Sequence, residues 1–330
     1  MYSAKIIADS VSPAGVRLTT FEFCYWRAVH DELMTHREFS RNTASARAIP
    51  IEKMIAGVLE DPALPLEWGS NKPGMQPGDE ISADQIAEAK RLILGLRDQA
   101  VEVAKALTTL GLHKQIVNRY LQPWMFTTVL VSATSYGNFF KLRCDKMAQA
   151  EIRHVAKLAR GLMETSKPRA LAWGAWHLPL IDKEDWTDAI QLFRDDPAYL
   201  DKILQPAGED QPEAPEQVAF PNPPPLSPAD FLYSRAAQWL LIKVSVARCA
   251  RVSYLRHLEK RDLRADAALH NILAAAGHWS PFEHIAQALM NPKARSGNFR
   301  GWAQYRKLWP TEYHGGESYA AETARERYSD

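Results

Sequence analysis

Residues 35–48 read THREFSRNTASARA, which gathers His36, Arg37, Arg41 and Arg47 around Ser40, Asn42, Thr43 and Ser45, with Phe39 the one large apolar side chain. Guanidinium presents a fixed fork of donors that matches phosphate and the carbonyl edge of a base. Ser45 and Arg47, two apart in a segment that reads as extended, can both face one anion. For any single residue here a solvated polar loop is the ordinary reading; the density of the cluster points to a binding site. Four more residues have chemistry of this kind and an ordinary alternative. His278 follows a helix-ending Gly277, Glu283 sits where a capping-box glutamate would, Arg143 can be the charged end of a mostly apolar helix, and so can Arg119 in VNRYLQP.

The chain around these residues is nearly neutral, with 40 basic against 39 acidic residues in 330. It therefore lacks the global positive field of a general nucleic-acid binder, no direct nucleic-acid binding is expected, and an anion site must be local. A hydrophobic share of 46% suits a globular fold with a real core. Cys24, Cys144 and Cys249 are scattered and form no CxxC pair, which argues against a disulfide framework and a zinc site and for a reducing, cytoplasmic setting. No secretory leader is read at the N-terminus, and the most apolar run, WMFTTVLVSA, is too short to span a bilayer. GxxxxGK[ST], GxGxxG after a strand, HExxH and GxSxG are all missing.

Positioning these residues requires a mixed architecture. VRLTTFEF at 16–23 reads as a strand, and Val29 and Leu33 follow at helical spacing, so the cationic cluster comes after a strand and a short helix. ALPLEWGSNKPGMQPG carries six glycines and prolines and reads as an ordered excursion or lid. Ser82 with Gln85 makes a capping box for a long amphipathic helix in which Leu92, Leu96, Ala100, Val103, Leu107 and Leu110 recur up to Gly111. A second such helix is expected from about Met147 to Leu162. Eight prolines from Pro206 to Pro228 predict an extended connector, Ser227–Pro228 a helix start, and the apolar FLYSRAAQWLLIKVSVA a helix that must pack against something. Another helix is expected over 266–276, ending at Gly277, and Ser280, Pro281 and Glu283 read as a further capped start. The expected fold class is α+β, helix-dominated with a small central antiparallel sheet. Its expected organisation is a segment 1–205, a connector 206–227 and a segment 228–330, forming one composite fold.

Four blocks in this chain resemble the flavin-dependent thymidylate synthases: HREFSRNTASAR, NFFKLRCDKMAQAEIR, ARVSY at 250–254, and HWSPFEH after Gly277. Thr35, His36, Arg37, Ser40, Asn42, Thr43, Ser45 and Arg47 fall in register with that family's signature. The order is that of a circular permutation, because ARVSY and SPFEH come first in the ordinary enzyme and here follow the connector. Gln304, Tyr305, Arg306 and Glu312 resemble a degraded second copy of the signature, so the chain looks like a permuted or partly duplicated relative of phage and bacterial forms.

The resemblance implies FAD as cofactor, NADPH and methylenetetrahydrofolate as co-substrates, one-carbon transfer to C5 of dUMP, and a homo-oligomer, dimer or tetramer. Carried over by position, Ser45, Arg47 and Arg119 hold the nucleotide phosphate, and Arg143 faces the pyrimidine; Ser45 and Arg143 are the catalytic candidates. His36, Arg37, Asn138, Ser253, His278, Ser280 and Glu283 line the flavin. Departures from the family pattern are Thr35 for arginine, Thr43 for glutamate, Glu32 for glutamine, and Ser132 and Thr134 for two polar flavin contacts. Glu32 adds a negative group beside the nucleotide, which keeps dCMP or another deoxypyrimidine nucleotide open as substrate; the replaced residues keep a non-catalytic nucleotide-binding relative open.

Overall fold

The computed structural model describes residues 1–204, 212, 228–259, 262–310 and 312. The expected connector at 206–227, apart from Pro212, and the cap at Ser227 lie outside the described residues. Along the chain come β1 (Ser3–Val11), β2 (Arg17–Trp26), α1 (His30–Met34), β3 (Ser40–Thr43), α2 (Ile51–Glu60), α3 (Ala83–Thr109) and α4 (Lys114–Val117). They are followed by β4 (Phe126–Ala133), α5 (Gly137–Arg143), α6 (Ala150–Thr165), β5 (Arg169–Ala170), β6 (Trp176–His177), α7 (Lys183–Asp195) and α8 (Pro197–Leu204). The C-terminal part holds α9 (Pro228–Arg251), α10 (Leu263–Ala275), β7 (Ala286–Ala288), β8 (Arg295–Ser296), β9 (Phe299–Arg300) and β10 (Trp302–Gln304). The class is α+β, as the sequence led us to expect.

A five-stranded sheet in the order β3-β4-β2-β1-β5 forms the centre, antiparallel throughout except for the short parallel pair β1–β5. β2 is buried on both faces, which is why its sequence alternates only in part. On one side Phe21, Phe23 and Tyr25 pack against Phe139, Ile152, Val155 and Ala159 of α5 and α6. A separate cluster contains Leu130 of β4 and the apolar helix α9, which is buried on nearly every side between α7, α8 and α10. A helix with apolar residues all round has to be enclosed in this way. β6 and β7 pair in a smaller sheet, order β10-β7-β6, that joins the C-terminal segment to residues before the connector.

Local expectations held where backbone chemistry dominates. Ser82 and Gln85 form the full capping box of α3, and Gly277 takes φ +67° just past α10. Three details need correction. α3 buries only Val101 and Ala104, leaving Leu92, Leu96, Val103 and Leu110 exposed, because it lies along the surface with one narrow edge inward. α6 begins at Ala150, after Met147, and α10 begins at Leu263, where Asp262 accepts from the amides of Arg264 and Ala265. Residues 280–284 form one short 3₁₀ turn with no side-chain cap, since Glu283 is drawn to Arg306 instead of to the backbone. The excursion at 63–80 is ordered by Ser70 N–H to Asp79 O (2.8 Å) and Ile81 N–H to Trp68 O (2.9 Å). A Cβ on Gly69 would come within 2.4 Å of the Pro77 ring, so that crossing requires glycine.

Candidate active site

β3 and its flanks are where three of the four motif blocks meet. β3 is an edge strand with β4 on one side only, and its alternation sends Ser40 and Asn42 into the protein. Those inward positions are met by the C-terminal segment. Ser40 Oγ accepts from Gln304 Nε2 (3.1 Å) and contacts the Asn298 amide (3.1–3.2 Å), while Gln304 also donates to the carbonyl of Glu283 (3.0 Å). Asn42 Nδ2 donates to Cys249 O at the end of α9 (3.3 Å). One residue past the strand, Ala44 N–H donates to Thr128 O, and Ser45 N–H then donates to Ser253 O of ARVSY (3.0 Å). Arg306 pairs with both Glu283 and Glu312, so three residues of the second signature copy and the SPFEH glutamate form one contact group.

The segment carrying Ser45 and Arg47 is a turn and not extended as the sequence suggested. Ser45 O accepts from Ala48 N–H (2.9 Å) and Ser45 Oγ from Arg47 N–H (3.3 Å). Asn118 clamps the turn by donating to the carbonyls of Ala46 (2.7 Å) and Ile49 (3.0 Å), and Lys114 donates to Ala48 O (2.8 Å). Arg119, next to Asn118, and Arg47 are both exposed, and neither has an ion-pair partner among the described residues. Arg47→Ala is expected to weaken nucleotide binding by roughly 1.5–3 kcal/mol, the value of hydrogen bonds to a charged group, with FAD affinity unchanged. Equal loss of both ligands in calorimetric titration would show Arg47 to be structural.

Arg143 stands in a second group. Its guanidinium donates to Glu32 Oε2 (2.6 Å), Glu32 O (3.0 Å), Thr35 Oγ1 (3.1 Å) and His36 Nε2 (3.1 Å). Because arginine only donates, His36 Nε2 must be the lone-pair nitrogen and Nδ1 carries the proton. Burial lowers the His36 pKa to about 4 and Arg143 pushes the same way, so the ring is neutral; Asn138 also bonds to it. Burial raises the Glu32 pKa, opposed by Arg143. Both side chains line a cavity of about 880 Å³ between the 63–80 excursion and the start of α6. Thr35, which replaces the signature's first arginine, thus serves as one acceptor for Arg143. Among the described residues no contact of Arg143 reaches the Ser45–Arg47 turn.

Arg37, His278 and Ser280 are exposed, with no ion pair or side-chain bond among the described residues. Ser132 lies in a buried chain with Thr20 Oγ1 (2.6 Å) and His284 Nδ1 (2.8 Å), and Thr134 Oγ1 accepts from Arg300 N–H (3.2 Å). The sequence reading counted Arg41 in the cluster but gave it no role; it donates to Met34 O (2.9 Å) and lies close enough to Glu283 to feel its charge. The sequence reading missed Gln304 as the hub of the junction, although its place in the second signature copy was the available signal.

No described group of histidine, cysteine and carboxylate side chains is arranged to hold a metal ion, and no described helix is long and apolar enough to cross a membrane. No curated protein is significantly similar to the chain. Among solved structures, a UMP/dUMP methylase, PolB, from Streptomyces cacaoi bound with 5-Br UMP aligns at 17% identity over 49% of this chain and 88% of its own, with a TM-score of 0.42. Thymidylate synthase X from Helicobacter pylori with FAD and dUMP aligns at 16% identity over 46% of this chain and 68% of its own, with a TM-score of 0.31. The model of the thymidylate synthase complementing protein family matches residues 10–169, a range that holds β3, the Ser45–Arg47 turn and Arg143 and excludes ARVSY and SPFEH. Residues 10–169, just under half of this chain, are thus similar to the thymidylate synthase complementing protein family.

Proposed function

We propose that the protein transfers a one-carbon unit to C5 of a deoxypyrimidine monophosphate, dUMP by default, with FAD as cofactor and NADPH and methylenetetrahydrofolate as co-substrates. The observation that carries this reading is the meeting of three of the four motif blocks on β3 and its flanks: Ser40 with Gln304, which also holds the Glu283 carbonyl, and Ser45 with Ser253. Residues from both ends of the chain build one locale, which supports a composite site spanning the expected segments 1–205 and 228–330.

In this reading the Ser45–Arg47 turn and Arg119 hold the phosphate with unpaired donors, and the Asn118 clamp keeps that turn from rearranging when the anion arrives. Arg143, held rigid by four acceptors, supplies fixed positive charge where negative charge develops on the ring. For the cofactor, Arg37, His278 and Ser280 offer free donors close in sequence to the Ser40–Glu283 junction, and neutral His36 with Asn138 offers an uncharged polar edge; this set suits an anionic cofactor with a polar ring system. FAD held by these residues would supply the reducing equivalents for the one-carbon transfer.

A second reading, a cytosine nucleotide as substrate, is favoured by Glu32, whose carboxylate lines the same cavity as Arg143 and can accept from an exocyclic amino group. Mass spectrometry of dUMP and dCMP, after incubation with reduced protein and methylenetetrahydrofolate, separates the two by which one gains mass. A prior condition is flavin uptake. Titration with FAD is expected to quench flavin fluorescence and shift its absorbance, and a folded sample that leaves both unchanged while binding dUMP would instead fit the non-catalytic relative.

A further inference from the structure

Beneath the Ser45–Arg47 turn lies a cavity of about 260 Å³, walled by Ala44 and Ala46 of the turn and floored by Met54, Val58 and Trp124. Two cations from outside the signature line it, Arg27 and Lys53. Arg27 is half-buried; burial lowers its pKa, and the nearby Arg119 pulls in the same direction, with Tyr25 and Asp31 opposing. Its Nη1 has only a long contact to Thr127 Oγ1 (3.4 Å). Neither Arg27 nor Lys53 makes an ion pair among the described residues. The carboxylate that lines the same cavity, Asp61, is engaged by the amino group of Met1.

Arg27 lies over this apolar floor, close enough to Arg119 for the two guanidinium charges to repel each other. That arrangement favours an anion in the gap, because a shared anion relieves the repulsion and satisfies both forks. We propose that Arg27 and Lys53 are further anion-binding residues of this site, so that the phosphate of a nucleoside monophosphate sits at the mouth of the cavity between them, Arg119 and the Ser45–Arg47 turn. The inference rests on the nucleotide reading above and adds two residues that neither the motif blocks nor their spacing identify. Leu255, in a left-handed conformation (φ 55°) just past ARVSY, closes the far wall, so the C-terminal segment also shapes this mouth.

The test is calorimetric titration of the full chain with dUMP, deoxyuridine and inorganic phosphate. Wild-type protein is expected to bind dUMP at least about tenfold more tightly than deoxyuridine. Arg27→Gln is expected to weaken dUMP binding about 10- to 100-fold and to leave deoxyuridine within about twofold, while Arg27→Lys recovers part of the loss because it keeps charge and loses the fork. Lys53→Gln, at an exposed position where folding is not at stake, is expected to weaken dUMP about three- to tenfold. Unchanged dUMP affinity in both glutamine variants, with Arg47→Ala still weakening it, overturns the proposal and leaves the nucleotide reading intact. A wild-type protein that does not distinguish dUMP from deoxyuridine overturns the nucleotide reading, and the proposal with it.

Discussion

Acidification from pH 6.5 toward pH 5 is expected to cost this protein much of its stability, through three histidines sealed in the core. His177, His270 and His284 are fully buried, and burial lowers each pKa to about 3. His177 bonds to Ser10 Oγ and Thr20 Oγ1 (both 2.9 Å), and Thr20 passes the chain through Ser132 to His284. His270 bonds to Asn271 and to Tyr305 Oη (3.1 Å), and Lys243 nearby disfavours its charging further. Above pH 6.5 folded and unfolded chains both hold these rings neutral, so stability does not change on their account. Below it the unfolded chain takes up protons that the folded chain refuses until about pH 3, and stability falls throughout that window. Three such sites give a slope of roughly 4 kcal/mol per pH unit once the unfolded rings are charged. That slope is steep against a typical total of roughly 5–15 kcal/mol. The urea midpoint followed from pH 7.5 to 5 measures it. A flat midpoint would mean that the rings are not sealed, and His284→Gln should reduce the slope by about 1.4 kcal/mol per pH unit.

Asp266→Ala is expected to destabilise the fold by roughly 3–5 kcal/mol. Asp266 is fully buried on α10 and faces two arginines from the end of α9: Arg251, the arginine of ARVSY, and Arg248 (Nε 3.5 Å). Arg248 is also clamped by both oxygens of Asp185 (2.7 Å each) and donates to the carbonyl of Leu180 (2.6 Å). Removing one carboxylate leaves a buried guanidinium without its counter-charge, and that penalty exceeds what the intact pair contributes. Function should follow stability, because Arg251 lies two residues before the Ser253 carbonyl that holds the Ser45 turn. Thermal melts and nucleotide titration on the same variant test both parts. A melting temperature near that of the wild type would show that water reaches the cluster.

Much of the local architecture was legible in the chain because it depends on near neighbours. The box at Ser82 and Gln85, the glycine after α10, the strand read over 16–23, which runs on to Trp26, and the buried helix after the connector all follow from capping chemistry, φ restrictions and apolar periodicity. The reading erred at Ser280–Glu283 because a capping box competes with any other partner for its glutamate, and Arg306, 23 residues further on, was invisible to local reasoning. It erred at Ser45–Arg47 for a related reason: the clamp that bends those residues into a turn comes from Asn118, more than 60 residues away.

For the site, residue types and spacing alone raised the expectation of an anion-binding cluster centred on 35–48, and they showed that blocks from both ends of the chain share one resemblance. Which side chains remain available for a ligand was decided only by the tertiary structure. Arg47 and Arg119 look alike in sequence to Arg143, yet among the described residues they have no ion-pair partner while Arg143 is filled by Glu32, Thr35 and His36. Arg27 and Lys53 carry no motif at all and line the cavity only because the end of β2 and helix α2 pack around the same turn. A donor's availability depends on every acceptor that folding brings within about 3 Å of it, and sequence spacing does not encode those distances.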